Sequence, residues 1–106
     1  MADSHTPTTR RERAERDVAA LGRCREEHLL LRVRCQAGHD VAAVYGTVHG
    51  PVFVSRAAHR GAEHVDALDG NGEDLIPAWC ACGTRRISRS ALLRRFAYHE
   101  RTLVLI

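Results

Sequence analysis

The sequence predicts a small α+β domain: an antiparallel β-sheet followed by a C-terminal helix, with a helical arm at the N-terminus. Three observations carry this prediction. Residues 28–55 alternate apolar and polar side chains with the period of two expected of strands, and residues 88–97 switch to helical spacing. Two short groups, Cys35-Gln-Ala-Gly-His39 and Cys80-Ala-Cys82-Gly83, place four soft side chains where they can tie these regions together. A chain of 106 residues is one domain at most, with a thin core. Aromatic bulk is confined to Tyr45, Phe53, Trp79, Phe96 and Tyr98, so the interior rests on Val, Leu and Ala and benefits from a staple.

Residues 1–27 form the charged arm. Asp3, Ser4, Thr8 and Thr9 are helix-start residues, and Thr9 stands three before Glu12 in capping-box spacing. Helix formers dominate from Arg10 to Leu21, with a thin apolar stripe of Ala14, Val18 and Leu21, and Gly22 is a stop. The arm is expected to be partly helical or disordered and lightly docked. Residues 28–106 make up the β-domain. In Leu29-Leu30-Leu31-Arg32-Val33-Arg34, period two places Leu29, Leu31 and Val33 on one face. Val41–Tyr45 and Pro51–Ser55 form a hairpin across the turn residues 46–50, with Pro51 expected at a strand's first position or on an edge. Residues 56–74, with Gly61, Gly70, Gly72 and five acids, read as a mobile connector. Ser88 or Ser90 caps a helix carrying Leu92, Leu93 and Phe96, and residues 101–106 form a closing strand.

The two ligand groups together offer three thiols and an imidazole, the donor set of a closed tetrahedral zinc site. Ligands a few residues apart on a tight turn, supplied twice, meet a tetrahedral demand with little backbone strain. Gly38 and Gly83 let those turns tighten. The expected ligands of one structural Zn²⁺ are therefore Cys35, His39, Cys80 and Cys82. Cys24 has no partner motif. Three cysteines and one histidine also resemble the ligand set of the CDGSH-type [2Fe–2S] proteins. Here the order of the pairs is reversed and some forty residues separate them, and Gln36-Ala37 stand where that family has Asp-Gly. The [2Fe–2S] cluster remains the alternative cofactor. A catalytic metal keeps an open position, whereas four ready ligands close the shell. His49, His59, His64 and His99 lack any recognisable spacing partner, so the chain reads as a non-enzyme.

All sixteen basic residues are arginine, and the net charge is +3. Arg85, Arg86, Arg89, Arg94 and Arg95 form an acid-free run just past Cys82, and these five are the candidate nucleic-acid contacts. The bland alternative is a solvated helix face. The arginines of the arm alternate with Glu12, Glu15 and Asp17, which favours internal compensation. Residues 1–13 are polar, and no apolar run reaches membrane-spanning length, so the expected setting is cytoplasmic with no membrane partner.

Arg34-Cys35-x-x-Gly38-His39-x-Val41-Ala42, Gly50-Pro51-Val52-Phe53-Val54 and Trp79-Cys80-x-Cys82-Gly83 followed by Ile87-Ser88 resemble small zinc-ribbon-like proteins of actinobacteria and their phages. The resemblance covers residues 28–106 and implies a zinc-held β-ribbon followed by a helix. It brings no activity with it. Two functions follow as expectations: a transcription-related module that binds DNA or RNA, or an adaptor that captures a protein partner through the arm or the hairpin edge.

Overall fold

The computed structural model describes residues 10–56, 63–68 and 74–105. The fold is α+β, with helix α1 (Arg10–Leu21), a 3-10 segment (Gly22–His28), strands β1 (Leu29–Cys35), β2 (Asp40–Thr47), β3 (Gly50–Arg56), β4 (Glu63–Ala67), β5 (Leu75–Cys80) and β6 (Gly83–Ser88), helix α2 (Arg89–Ala97) and strand β7 (Thr102–Leu105). Five strands make one sheet in the order β4-β3-β2-β1-β7, and β5 and β6 form a separate two-stranded sheet. The large sheet is mixed rather than wholly antiparallel, because β7 lies parallel to β1.

Each face of the large sheet has its own core. On one face Leu31, Val33, Val44 and Phe53 pack against Ile76, Ala78 and Ile87 of the small sheet and against Leu92 of α2. On the other, Ala14 and Val18 of α1 meet Tyr45, Val52, Val54 and Val65. The arm is thus a layer of the fold from residue 10 onward, with the expected stripe of Ala14, Val18 and Leu21 turned to the sheet. The candidate caps Asp3, Ser4, Thr8 and Thr9 lie outside the described residues. Buried Asp17 adds a polar tie, its carboxylate 2.8 Å from Nδ1 of His49 in the β2–β3 turn.

Two bulges adjust the strand faces. Leu29 pairs with Tyr45 but Leu31 pairs with Val44, so Leu30 is the extra residue. Leu29 therefore turns to the α1 side, away from Leu31 and Val33, and Leu30 is left 42% exposed. Between Val33 and Arg34 the extra residue is on β2, which is why consecutive Val41 and Ala42 both enter the same core.

The region read as a mobile connector contains strand β4, and its described acids have specific partners. Glu63 binds Arg25 at 2.8 Å, and that guanidinium also covers the Tyr45 ring. Asp66 pairs with Arg89 at 3.1 Å, and Asp74 caps α2. Residues 57–62 and 69–73 lie outside the described residues. Proline is tolerated within β5 because a two-stranded sheet leaves each strand an open side.

Helix α2 is fixed at both ends. Ser88 is its N-cap, with Oγ accepting from the Ala91 N–H at 3.2 Å. Asp74 accepts from the Ser90 N–H and from the hydroxyls of Ser90 and Ser88, which together hold its carboxyl below the usual range. At the other end the His99 N–H donates to the Phe96 carbonyl and the Glu100 N–H to that of Arg95. This is a Schellman closure, with His99 at φ 59° where glycine is usual.

Two predictions follow from α2. Because Asp74 has its lower pKa in the folded state, its stabilisation is complete above the ordinary carboxyl range near pH ~4 and is lost as pH falls through the folded value. Asp74→Asn should lower the urea midpoint at neutral pH and flatten the acid limb of the stability curve. Arg89, only 5% exposed, also donates to the Ala67 carbonyl. Arg89→Ala should cost about 2–4 kcal/mol by urea unfolding, whereas Arg94→Ala, on the exposed side of the helix, should stay within about 0.5 kcal/mol.

Candidate metal centre

The four expected ligands come from two hairpin turns that the packing of the sheets brings to one place. Cys35 ends β1 and His39 immediately precedes β2, while Cys80 ends β5 and Cys82 is in the two-residue β5–β6 turn. In the first turn the Gly38 N–H donates to the Cys35 carbonyl and the Cys35 N–H to that of His39. Gly38 has φ +87° and Gly83 φ +126°, conformations in which a Cβ is strained. The Cys82 N–H points at Cys80 Sγ, 3.3 Å away, in the arrangement that supports a thiolate. The second turn lies before β6 rather than directly before the helix.

The donor atoms of Cys35, His39, Cys80 and Cys82 all lie within 4.8 Å of one another, a group that could hold a metal ion. Nδ1 of His39 is 3.3 Å from Cys35 Sγ and 3.4 Å from Cys82 Sγ, and those two sulfurs are 3.9 Å apart. Zinc bond lengths of 2.0–2.3 Å at tetrahedral angles give edges of about 3.6 Å between nitrogen and sulfur and about 3.8 Å between sulfurs. The donors therefore need only small adjustments to meet around one ion. Cys35 is buried, Cys80 half-buried, and His39 and Cys82 are exposed, so the group closes one end of the interface between the sheets at the surface.

The thiols differ in acidity. Burial opposes ionisation of Cys35, but N–H donors at His39 and Ala37 and the side chains of His39 and Cys82 outweigh it and hold the thiol down to about 6. Cys82 moves the other way, because its S–H donates to Cys35 and a second negative charge beside the first is unfavourable. A cation removes that repulsion, and binding one would release the protons still held. Arg34, next to Cys35 in the chain, pairs with Asp40 at 3.2 Å.

The arginines of the run differ in their surroundings. Arg89 is buried against Asp66, and Arg95 pairs with Glu100 at 2.7 Å, while Arg86 and Arg94 are exposed and Arg85 is half-exposed. Sequence reasoning missed a different grouping, in which Arg32 and Arg34 of β1 lie beside Arg101 at the start of β7. Only the parallel β1–β7 pairing brings them together, and no local pattern announces such a pairing. The other cysteine and histidines are scattered: Cys24 is exposed on the 3-10 segment, His49 holds Asp17, and His64 packs edge-on to Trp79. His59 lies outside the described residues. Comparison with protein families, with curated proteins and with solved structures finds no match to this chain.

Cys35 and Cys82 are 47 residues apart in sequence, so a metal joining them closes a long loop. On the chain-entropy scale such a cross-link is worth about 4 kcal/mol, or a Tm change of about 15–30 °C for a domain of this size. Chelation of the metal-loaded protein should lower Tm by that amount. Cys82→Ser should lose the metal, and a variant that kept both metal and Tm would contradict the assignment.

Proposed function

We propose that this chain is a small module clamped by one structural zinc ion, and that it binds nucleic acid rather than catalysing a reaction. The observation that carries this reading is the convergence of three sulfurs and one nitrogen within 4.8 Å of one another. With four protein donors the shell is filled, and no position is left for substrate or activated water. The compactness of the group favours a single ion over [2Fe–2S]. A two-iron core divides its ligands into two pairs with both irons and the bridging sulfides between them, whereas here every donor neighbours every other. The ion would act as a cross-link between the β1–β2 and β5–β6 turns, holding the small sheet and α2 against the large sheet.

Charge supports the nucleic-acid half of the reading. The net charge is +3, carried entirely by arginine, whose planar fork binds phosphate in bidentate fashion. Arginines remain accessible both at Arg86 and Arg94 and around Arg101. One observation favours the adaptor reading instead. Strand β7 ends the sheet order, and Val104 beside its open edge is 51% exposed, so a partner strand could extend the sheet there. The arm is a weaker docking element, since from residue 10 it is engaged with the sheet.

The two readings separate in a salt titration. Nucleic-acid binding predicts oligonucleotide affinity that falls linearly with log salt, with a slope of about 0.7 for each phosphate contacted on a single strand. Anisotropy of labelled oligonucleotides between 50 and 200 mM salt, on the order of the range where such losses are large, measures this. Absence of binding at the low end, with a protein partner recovered on the same sample, would favour the adaptor.

A further inference from the structure

The geometry points to a nucleotide-binding cleft at the β1–β7 end of the large sheet, beside the C-terminal end of α2. Helix α1 covers the sheet over Tyr45, Val52, Val54 and Val65, and the β1–β7 strip lies beside that contact. On that strip Arg32 and Arg34 are two residues apart along β1, level with Thr102 and Val104 of β7. Arg32, Arg34 and Arg101 line a cleft of about 290 Å³. A second cleft of about 380 Å³, lined by Phe96, His99 and Glu100, shares Leu29, Leu30 and Arg101 with the first. The two clefts adjoin at Leu29, Leu30 and Arg101, with guanidiniums lining one and Phe96 and His99 lining the other.

The chemistry matches a nucleotide unit, a planar base joined to a phosphate. Arg101 has no ion pair with any described residue. Arg32 and Arg34 bind Glu26 and Asp40 at 3.2 Å, but all four side chains are substantially exposed. Exposed ion pairs are worth roughly 0–1 kcal/mol, so a phosphate accepting charge-assisted bonds from the guanidiniums can displace them. Phe96, His99 and Leu30 offer the ring surfaces and apolar contact on which a base stacks.

His99 supplies an independent sign of use. It occupies the left-handed closing position of α2, at φ 59°, where the Schellman geometry favours glycine and a side chain is strained. The structure has no need of an imidazole there: its backbone N–H closes the helix, and its ring lines the cleft. His99 thus joins a backbone position that favours glycine to a ring on the cleft wall. The proposal deepens the nucleic-acid reading by naming where a base and its phosphate sit.

The test uses the metal-loaded full chain, fluorescein-labelled U8 RNA and dT8 DNA, and free UMP as the unattached form of the same chemistry. Single variants Arg34→Ala and Arg101→Ala should each weaken oligonucleotide binding about 10-fold and reduce the salt slope by about 0.7. His99→Gly should weaken binding at least about 3-fold while leaving Tm equal or higher, a split that a purely structural histidine would not give. Arg11→Ala, on the exposed side of α1, should leave binding unchanged. If Arg86→Ala and Arg94→Ala abolish binding while the cleft variants bind as wild type, the cleft is wrong and the nucleic-acid reading stands. If UMP binds and is lost in Arg34→Ala and Arg101→Ala while neither oligonucleotide binds, the cleft stands and the nucleic-acid reading falls. If no probe binds the wild-type chain, both are overturned.

Discussion

The structure depends on two hairpin turns arriving at the same point. One belongs to the large sheet and the other to a two-stranded sheet that would be marginal in isolation. Ile76, Ala78 and Ile87 supply the apolar contact that seats the small sheet. The cluster of Cys35, His39, Cys80 and Cys82 lies at the end of that contact, where two hydrated turns would otherwise separate first. Packing brings the donors near one another, and a bound ion would convert that proximity into a cross-link. Neither effect substitutes for the other, because thiolates brought together without a cation repel one another.

The second face of the sheet is held differently. Helix α1 docks through the small side chains Ala14 and Val18, a modest apolar area, and polar ties reinforce it. Asp17 binds His49, and Arg25 of the adjoining 3-10 segment binds both Glu63 and the Tyr45 ring. Charged residues thus do much of the holding on the periphery of a domain with few aromatics. The same is true at α2, where Arg89 reaches under the sheet edge to Asp66 and Ala67. Such groups cannot be counted among surfaces available to a partner.

How much of this was legible in the sequence follows from how local each signal is. The ligand pairs, the β2–β3 hairpin, the Ser88 cap and the Ala14/Val18/Leu21 stripe are encoded within a few residues and appear in the structure where expected. Strand β4 was hidden because Glu63, His64 and Asp66 look like loop residues, and their roles depend on Arg25, Trp79 and Arg89 far along the chain. Strands β5 and β6 were hidden by Pro77 and by Arg85-Arg86, which tolerate strand geometry only because a two-stranded sheet leaves open sides. The turning of Leu29 away from Leu31 required a bulge, which period-two reasoning does not contain. The burial of Arg89 was invisible for the same reason as the β1–β7 cleft: each depends on a tertiary neighbour, not on spacing.

Cobalt substitution tests the central claim most directly. A titration of the reduced, metal-free chain with Co²⁺, followed by visible absorption, should saturate at one equivalent with the strong d–d bands of a tetrahedral ion and thiolate-to-metal charge transfer, both erased by one equivalent of Zn²⁺. A pale octahedral spectrum, or a coloured protein as isolated that contains acid-labile sulfide, would contradict the account.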